Sequence, residues 1–353
     1  MLQKMNRLFS AKLLLPIATI LILVGVIYEQ ISSNSLRKKF PAPGKVVDIG
    51  DHKMHIHCTG TGSPTVIFES GMDSYGSMSW NRVLSRVGMY TRACAYDRSG
   101  IMWSEPRLLN QEFSNRVIDE LSSLLDASGE SAPYLLVGHS LGGAYATLFA
   151  NKYPSLVAGI ILIDSSHPDL ESNLDGHFSA EWVEDLEDNL LIWSEPILKN
   201  LGLLRITSKY TEHHEPEVDW SATEHKIIEG FRPKSFLALQ SEVKALTDIL
   251  HQLGLNKYIG DIPLIAIDAH LDISAISDSE LKKIALSRES LESIFKEQTR
   301  MHQDKANWSS DAELLTFKNT RHYIQFQSPE KVDSVIQSMV AKYRMKTANR
   351  NSQ

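Results

Sequence analysis

The sequence predicts an α/β fold in which helices cover both faces of a mostly parallel β-sheet. After an opening hairpin, short β-branched and apolar runs alternate with stretches of helical periodicity, which is the pattern of strands joined by crossover helices. One strand–helix junction, within residues 134–150, contains a Gly-x-Ser-x-Gly motif. Residues 169–258 interrupt the alternation, because they are rich in helix formers and hold no convincing strand. They predict a helical insert over the edge of the sheet.

The Gly-x-Ser-x-Gly motif predicts a nucleophilic serine. An apolar run at residues 134–137 leads into Gly-His-Ser-Leu-Gly-Gly at residues 138–143, and a helical run follows. A serine on a sharp turn between strand and helix projects its hydroxyl group into a site, while the flanking glycines let the strand and the helix pass closely. The helix start behind the serine offers backbone N–H groups that suit a developing negative charge. We therefore predict that Ser140 is a nucleophile.

The other elements follow in chain order. A hairpin with strands at residues 45–49 and 53–58 opens the fold, and its alternation predicts that His55 and His57 lie on the exposed face. Further strands are predicted at residues 65–69, 91–96, 158–164, 262–268 and 314–318, and helices at residues 80–87, 114–125 and 329–342.

The N-terminal segment differs from the rest of the chain. It consists of a basic stretch (residues 1–12), an apolar stretch (residues 13–30) and a linker (residues 31–44). Counted from Leu8, the apolar stretch is just long enough to cross a bilayer, which predicts a single transmembrane anchor. A cleaved signal peptide is the alternative, although only a weak cleavage site follows. The basic residues before the span predict a cytoplasmic N-terminus and an exported, periplasmic or extracellular body, while the basic residues 37–39 weaken that orientation.

Length and composition limit the number of domains and the kinds of partner that the chain can have. The whole chain of 353 residues has room for one large or two small domains, and its net charge of −7 gives no support to nucleic-acid binding. Cys58 and Cys94 are too few for a metal site, so they are either small buried hydrophobic residues or one disulfide of an exported domain. We assign a core to residues 45–168 and 259–345, a helical lid insert to residues 169–258 and a polar tail to residues 346–353.

Several segments together carry a resemblance to a known family. They are His-Cys-Thr-Gly-x-Gly-Ser-Pro-Thr-Val at residues 57–66, Tyr-Asp-Arg-Ser-Gly at 96–100, Leu-Val-Gly-His-Ser-Leu-Gly-Gly at 136–143, Leu-Ile-Asp-Ser-Ser-His-Pro at 162–168, and His-Tyr-Ile at 322–324. Over roughly residues 45–345 the chain resembles the α/β-hydrolase superfamily, and more narrowly the membrane-anchored bacterial α/β hydrolases.

The resemblance implies a fold and one covalent link. It implies an eight-stranded sheet whose second strand runs antiparallel to the others. It also implies that the strand with Cys58 lies beside the strand with Cys94, so that a cross-strand disulfide is geometrically possible. One departure is visible, since Met102 stands where the family commonly has a second glycine in the loop after Asp97 and Arg98. The shape of that loop is therefore open.

A serine hydroxyl needs a base to become a nucleophile, and the base needs an orienting acid. His322 is the predicted base, because it follows the last predicted strand and precedes the final helix, as expected for the chain order serine, acid, histidine. The resemblance favours Asp164, which ends the strand after Ser140, as the acid. Asp272, which follows the next strand, is the alternative, and Asp268 is a third candidate. The expected oxyanion-hole donors are the backbone N–H groups of Leu141 and Met72.

These residues together predict a serine hydrolase that cleaves an ester, thioester or amide through an acyl-enzyme. An esterase or lipase is favoured over a peptidase, and no metal or organic cofactor is expected. The expected partners are an unidentified small acyl substrate and a membrane, contacted through the N-terminal helix, with no nucleic acid. The alternatives are an acyltransferase or a C–C bond lyase on the same residues, and a non-catalytic binding protein on a hydrolase scaffold.

Overall fold

The computed structural model describes most of the chain. The described residues are 2–107, 113–170, 198, 200–203, 205, 218–271, 273–276, 281 and 287–351. Of the predicted lid insert, residues 171–197 and most of residues 199–217 therefore lie outside the described part of the chain, as does Asp272.

One eight-stranded sheet forms the centre of the molecule. The strands are β1 (Lys45–Asp48), β2 (Lys53–Thr59), β3 (Thr65–Glu69), β4 (Ala93–Tyr96), β5 (Tyr134–His139), β6 (Val157–Ile163), β7 (Leu264–His270) and β8 (Ala312–Lys318). Their order in the sheet is β1-β2-β4-β3-β5-β6-β7-β8. Strand β2 is antiparallel to both of its neighbours, and all pairs from β4 to β8 are parallel. The predicted sheet is thus confirmed, including its antiparallel second strand.

Helices cover both faces of this sheet. In the described ranges the α-helices, of which α1 packs on α5 and not on the sheet, are α1 (Leu2–Lys39), α2 (Asn81–Val87), α3 (Phe113–Ser128), α4 (Leu141–Lys152), α5 (Ala222–Lys244), α6 (Leu246–Leu255), α7 (Arg288–Lys305), α8 (Ile324–Gln327) and α9 (Pro329–Asn351). Successive residues of β5 show the two layers: Leu136 packs with α3, α4 and α6, whereas Leu135 and Val137 pack with α2 and α9. Because both faces are covered, β3 and β5 are buried at every position rather than at alternate ones.

A disulfide joins the two strands at which the sheet changes direction. Cys58 of β2 lies directly opposite Cys94 of β4 in the antiparallel register, with 4.0 Å between the Cα atoms, and the two sulfur atoms are bonded. The pairing implied by the resemblance is therefore present.

The structure differs from the sequence predictions at both ends of the chain. Helix α1 does not end where the apolar stretch ends but continues to Lys39, through most of the segment predicted as a linker. Helix α9 likewise continues to Asn351, into the predicted polar tail. Within α1, residues 16–39 form a helix that is long and apolar enough to cross a membrane.

The prediction that His55 is exposed was wrong. Its side chain is fully buried, because the loop after β4 folds over this face of the hairpin. Its Nδ1 lies 2.8 Å from Oδ2 of Asp97, and Nε2 contacts the carbonyl oxygen of Pro43. Both neighbours can only accept, so both ring nitrogens carry protons. Burial by itself lowers the pKa of His55, but the charge of Asp97 outweighs it and raises that pKa.

Candidate active site

Ser140 lies on a strained turn between β5 and α4. Its φ and ψ are 52° and −124°, a combination that costs free energy in a residue other than glycine. The turn is fixed by the N–H of Ser140, which donates to the carbonyl oxygen of Ile163 at 3.1 Å. Gly142 allows the close approach of α4, because a Cβ there would lie 2.4 Å from the carbonyl oxygen of Glu69. The predicted nucleophile therefore lies at the carboxyl edge of the sheet.

Asp164 and His322 are in direct contact at the same edge. Asp164 follows β6, has a φ of 40°, and places Oδ2 2.6 Å from Nδ1 of His322. The Asp164 side chain is 15% exposed and that of His322 is 44% exposed, so solvent reaches the histidine but little of the carboxylate. Of the two predicted acids in the described part of the chain, Asp164 and Asp268, it is Asp164 that contacts His322, whereas Asp272 lies outside that part.

His302 is a residue of the site that sequence reasoning missed. It comes from α7 and places Nε2 3.0 Å from Oδ1 of Asp164, the oxygen that His322 does not use. Nζ of the buried Lys305 lies 3.2 Å from Nδ1 of His302 and also donates to the carbonyl oxygen of Ser165. Since an ammonium can only donate, Nδ1 of His302 accepts and Nε2 carries the proton that is donated to Asp164. No motif marks His302, because an isolated histidine in an amphipathic helix has no signal of its own.

These contacts control the charge of the carboxylates. Burial by itself would raise the pKa of Asp164, but the hydrogen bonds from His302 and His322 outweigh it and hold that pKa well below the usual range. Asp268, the third candidate acid, has a raised pKa, mainly because it is buried. Its Oδ1 lies 3.6 Å from Nε2 of His302. Lys305 contacts the other ring nitrogen of His302, Nδ1. Burial also lowers the pKa of Lys305, to about 8.

The same cluster holds donor atoms that a cation could use. One ligand atom each from Asp164, Asp268 and His302 lies within 4.8 Å of the others. Asp164 is already engaged by two histidines, however, and the ammonium group of Lys305 contacts the other ring nitrogen of His302. The ammonium group of Lys305 therefore already supplies a positive charge next to these three residues.

His139 connects Ser140 to His322. Its ring is buried, its centroid lies 4.5 Å from that of His322, and its Nε2 lies 2.9 Å from the carbonyl oxygen of His322. A carbonyl oxygen accepts, so Nε2 carries the proton of a neutral ring. Burial, together with the nearby His322, lowers the pKa of His139 to about 3. His139 is thus a neutral donor that holds the backbone of His322 beside the turn of Ser140.

A buried arginine fixes the loop that faces Ser140. Arg98 donates through Nη1 to the carbonyl oxygen of Ser70 and through Nη2 to that of Gly71, both at 2.7 Å. Its charge is balanced by Glu69 at 2.7 Å and by a bidentate contact with Glu242 of α5 at 2.6 and 2.8 Å. Burial raises the pKa of Glu69 to about 7. The motif at residues 96–100 contains Arg98, but its partner Glu242 lies in the segment predicted as an insert and has no sequence signal.

The two predicted oxyanion-hole donors lie on either side of Ser140. Leu141 is the first residue of α4, and Met72 follows Gly71, at which a Cβ would lie 3.1 Å from Cβ of Ser140. Across the described ranges, neither backbone N–H has a hydrogen-bond partner within the chain. An N–H at a helix start and one in a fixed loop can both serve an oxyanion.

The comparisons with known proteins agree with this architecture. A family model described as the alpha/beta hydrolase fold matches residues 84–329. The uncharacterized protein YbdG of Bacillus subtilis (strain 168) is 28% identical over 156 residues, which are 43% of this chain and 48% of YbdG. The chain therefore matches less than half of the length of this curated relative.

Solved structures extend the similarity to almost the whole body. A serine hydrolase involved in carbazole degradation superposes with a TM-score of 0.55 at 14% identity and covers 84% of this chain and 98% of its own. A thermophilic esterase from Thermogutta terrifontis has a TM-score of 0.54 at 16% identity, with coverages of 83% and 94%. At these identities the likeness concerns the fold alone.

Proposed function

Because the chain belongs to the α/β hydrolase fold family, we propose that it is a serine hydrolase that cleaves an ester, thioester or amide through an acyl-enzyme on Ser140. The observation that carries the proposal is the 2.6 Å contact of His322 with Asp164 beside the strained turn of Ser140. A binding protein on this scaffold would have no need to maintain that strain, which costs roughly 1–3 kcal/mol.

The protonation pattern supports His322 as the base. The ionised Asp164 accepts from Nδ1 of His322, which makes Nε2 the nitrogen that takes a proton. In the proposed reaction Nε2 removes the proton of Ser140 Oγ as Oγ attacks the acyl carbon, and Asp164 stabilises the imidazolium that forms. The imidazolium then protonates the leaving group. Water repeats the sequence on the acyl-enzyme and releases the acid.

The loop held by Arg98 and the start of α4 would stabilise the tetrahedral intermediate. The backbone N–H groups of Met72 and Leu141 are the proposed donors, and losing one such donor typically costs about 2.7–4 kcal/mol. Glu242 belongs to the segment proposed as a lid, residues 169–258. Its bidentate contact with Arg98 therefore ties this segment to the loop.

We further propose that α1 anchors the protein in a membrane and that the body is exported. Two observations support this. Helix α1 is apolar over a bilayer-spanning length, and the disulfide between Cys58 and Cys94 is typical of an oxidising compartment. The contacts of residues 29–43 with the body favour a retained helix over a cleaved leader.

Covalent labelling tests the mechanism. The full-length protein in detergent is treated with a fluorophosphonate probe beside Ser140→Ala and His322→Ala, with Ser334→Ala as a control at an exposed serine of α9. We expect labelling of the wild type and of the Ser334 variant, none of the Ser140 variant, and labelling at least 10³-fold slower for the His322 variant. A folded wild type that does not label contradicts the proposal.

A matched pair of variants tests the acid. In hydrolysis of a nitrophenyl ester, Asp164→Asn is expected to lower kcat about 10⁴-fold, because the amide would favour the wrong histidine tautomer. Asp272→Asn is expected to keep kcat within a few-fold of the wild type. The reverse order of the two losses would identify Asp272 as the acid.

Addition of an alcohol separates hydrolysis from acyl transfer, since a transferase forms the new ester in preference to the free acid.

A further inference from the structure

Helix α1 is packed on the body and does not serve only as a tether. At Gly25 a Cβ would lie 2.5 Å from the carbonyl oxygen of Leu201, and at Gly202 it would lie 2.6 Å from Cδ1 of Tyr28. Even one methyl group at either position would force the two segments apart. The close contact between α1 and the segment around residue 201 is therefore encoded in the sequence.

An ion pair fixes the same contact. Arg205 donates to both carboxylate oxygens of Glu29, at 2.7 and 2.8 Å, and the two side chains are only 11% and 10% exposed. The hydroxyl of Ser33 donates to Glu29 at 2.7 Å, and Arg205 also reaches the carbonyl oxygen of Gly230 in α5 at 2.9 Å. A bidentate ion pair that is largely removed from water fixes both the orientation and the separation of its two side chains.

This docking sets the depth of the neighbouring residues, given the anchor proposed above. Residues 8–28 span about 31 Å as a helix, which matches a hydrocarbon core of about 30 Å. Tyr28 then lies at the boundary. The next nine residues, up to Arg37, rise through the following ~13 Å, which begins with the headgroup layer.

A polar cavity opens at this depth between α1 and the body. Its volume is about 170 Å³, and the described residues that line it are Glu29, Gln30, Ser33, Asn34, Arg37, Asn200 and Lys234. Gln30, Asn34, Asn200, Arg37 and Lys234 supply its amide and cationic groups. Three of these side chains are amides and two are cations. Among the described residues of the lining the one carboxylate is that of Glu29, and Arg205 donates to both of its oxygens. Among the described lining residues, two cations therefore face the cavity beside one carboxylate that is already paired, and Lys234 also donates to the carbonyl oxygen of Ser104 at 2.6 Å.

We propose that this cavity binds the phosphate of an anionic membrane lipid. A guanidinium and an ammonium beside amide donors suit phosphate oxygens, which accept several hydrogen bonds at once. The position at headgroup depth selects a lipid over a dissolved anion, since lipid phosphates are concentrated there. The bound headgroup would bridge α1 to Lys234 of α5, the helix that also carries Glu242, the partner of Arg98. The inference rests on the proposed membrane anchor but not on the proposed chemistry at Ser140.

Arg37 and Lys38 provide a matched test. Both are exposed, adjacent and basic, but only Arg37 lines the cavity. Thermal unfolding of the full-length protein in neutral detergent is measured with increasing phosphatidylglycerol or phosphatidylcholine. We expect phosphatidylglycerol to raise Tm and phosphatidylcholine to leave it unchanged. Arg37→Gln should weaken that response about tenfold in lipid concentration, whereas Lys38→Gln should leave it within twofold. A second pair adds a carboxylate inside or outside the cavity: Asn34→Asp should abolish the response and Ser35→Asp should not.

Three outcomes would overturn the proposal in different ways. Equal losses for Arg37→Gln and Lys38→Gln indicate general attraction to a basic segment and no built site. Stabilisation by glycerol 3-phosphate or inorganic phosphate equal to that by the lipid indicates a site for a dissolved anion. Release of the wild type from membranes by alkaline carbonate would contradict the membrane anchor itself. The labelling of Ser140 by the fluorophosphonate probe tests the proposed chemistry separately and does not depend on any of these three outcomes.

Discussion

Asp164 receives hydrogen bonds from two histidines, and this double contact distinguishes it from Asp268, the other candidate acid among the described residues. The motifs alone predicted Ser140 and His322, because each stands in a short segment with a characteristic position in the fold. They left the acid open, because both Asp164 and Asp272 follow strands that end at the same edge. The family resemblance favours Asp164, and its contact with His322 in the structure supports the same choice. The contact of His302 with Asp164 is visible only in the structure.

We expect His302 to act as a positioning residue through Asp164. His302→Ala should lower kcat for ester hydrolysis roughly 10- to 100-fold with little change in KM, because a carboxylate free to rotate orients His322 less well. His302→Gln should restore much of the rate, since its amide N–H can reach Oδ1 of Asp164. Equal losses in the two variants, or a loss that is confined to KM, would contradict this role.

His139 predicts a pH dependence of stability. Its pKa is lowered to about 3 in the folded protein and is near 6.5 when unfolded, so between these values the unfolded chain binds the proton and the folded protein does not. The contribution is therefore complete above about pH 6.5 and is lost as the pH falls, by about 2–3 kcal/mol at pH 4.5.

Denaturant unfolding at pH 7 and pH 4.5 measures this effect. His139→Gln keeps a donor for the carbonyl of His322 and cannot be protonated, so the difference between the two pH values should shrink by about that amount. His251→Gln, at an exposed histidine of α6, is the control and should leave the difference unchanged. An unchanged difference in the His139 variant would mean that His139 is protonated without cost.

Met102 shows how a side chain can replace a glycine. It has a φ of 39°, so the left-handed backbone expected of a glycine at this place is kept although the residue is not glycine. The strain costs roughly 1–3 kcal/mol. Its fully buried side chain packs with Ile101 and Phe231, and its N–H donates to Ser235 at 2.9 Å. Burying a methionine side chain stabilises the fold by about 1.5–3 kcal/mol, which is similar in size to the strain.

At the scale of elements, the strands were predictable and the helix ends were not. Strand β3 has the predicted bounds, because β-branched runs between turn residues have few alternatives. Helix α1 continues past its apolar stretch because Ser33 and Leu36 contact the body, which no local pattern reveals. The error at His55 has the same cause, since the alternation of a two-stranded hairpin cannot show that a later loop covers it.

The disulfide between β2 and β4 should contribute strongly to stability. It closes a loop with a sequence separation of 36, which corresponds to about 3–4 kcal/mol of chain entropy removed from the unfolded state. The double variant Cys58→Ala, Cys94→Ala should lose about that much free energy of unfolding in denaturant titrations. Dithiothreitol should lower the wild type to a similar level and leave the double variant unchanged. A wild type that is insensitive to the reductant and to the double substitution would contradict the expectation.

At the scale of the whole molecule, α1 and the body should unfold as one unit. Three contacts of residues 29–43 with the body support this: Glu29 pairs with Arg205, the indole N–H of Trp103 donates to the carbonyl oxygen of Phe40 at 3.0 Å, and His55 contacts Pro43. A deletion of residues 2–24 keeps all three, whereas a deletion of residues 2–43 removes them. Because removing one partner of a buried pair costs about 3–5 kcal/mol, the shorter protein should melt at least ~5 °C below the longer one.

Differential scanning fluorimetry of the two truncated proteins measures this difference in the same detergent. Glu29→Ala in the protein that lacks residues 2–24 isolates the ion pair and should account for much of the loss, since it leaves the charge of Arg205 without its bidentate partner. Glu292→Ala, at an exposed position of α7, is a matched control and should be neutral. Equal melting temperatures for the two truncated proteins would show that residues 25–43 do not stabilise the body. A difference that Glu29→Ala reproduces would mean that the helix is a structural element of the body, which a cleaved leader could not be.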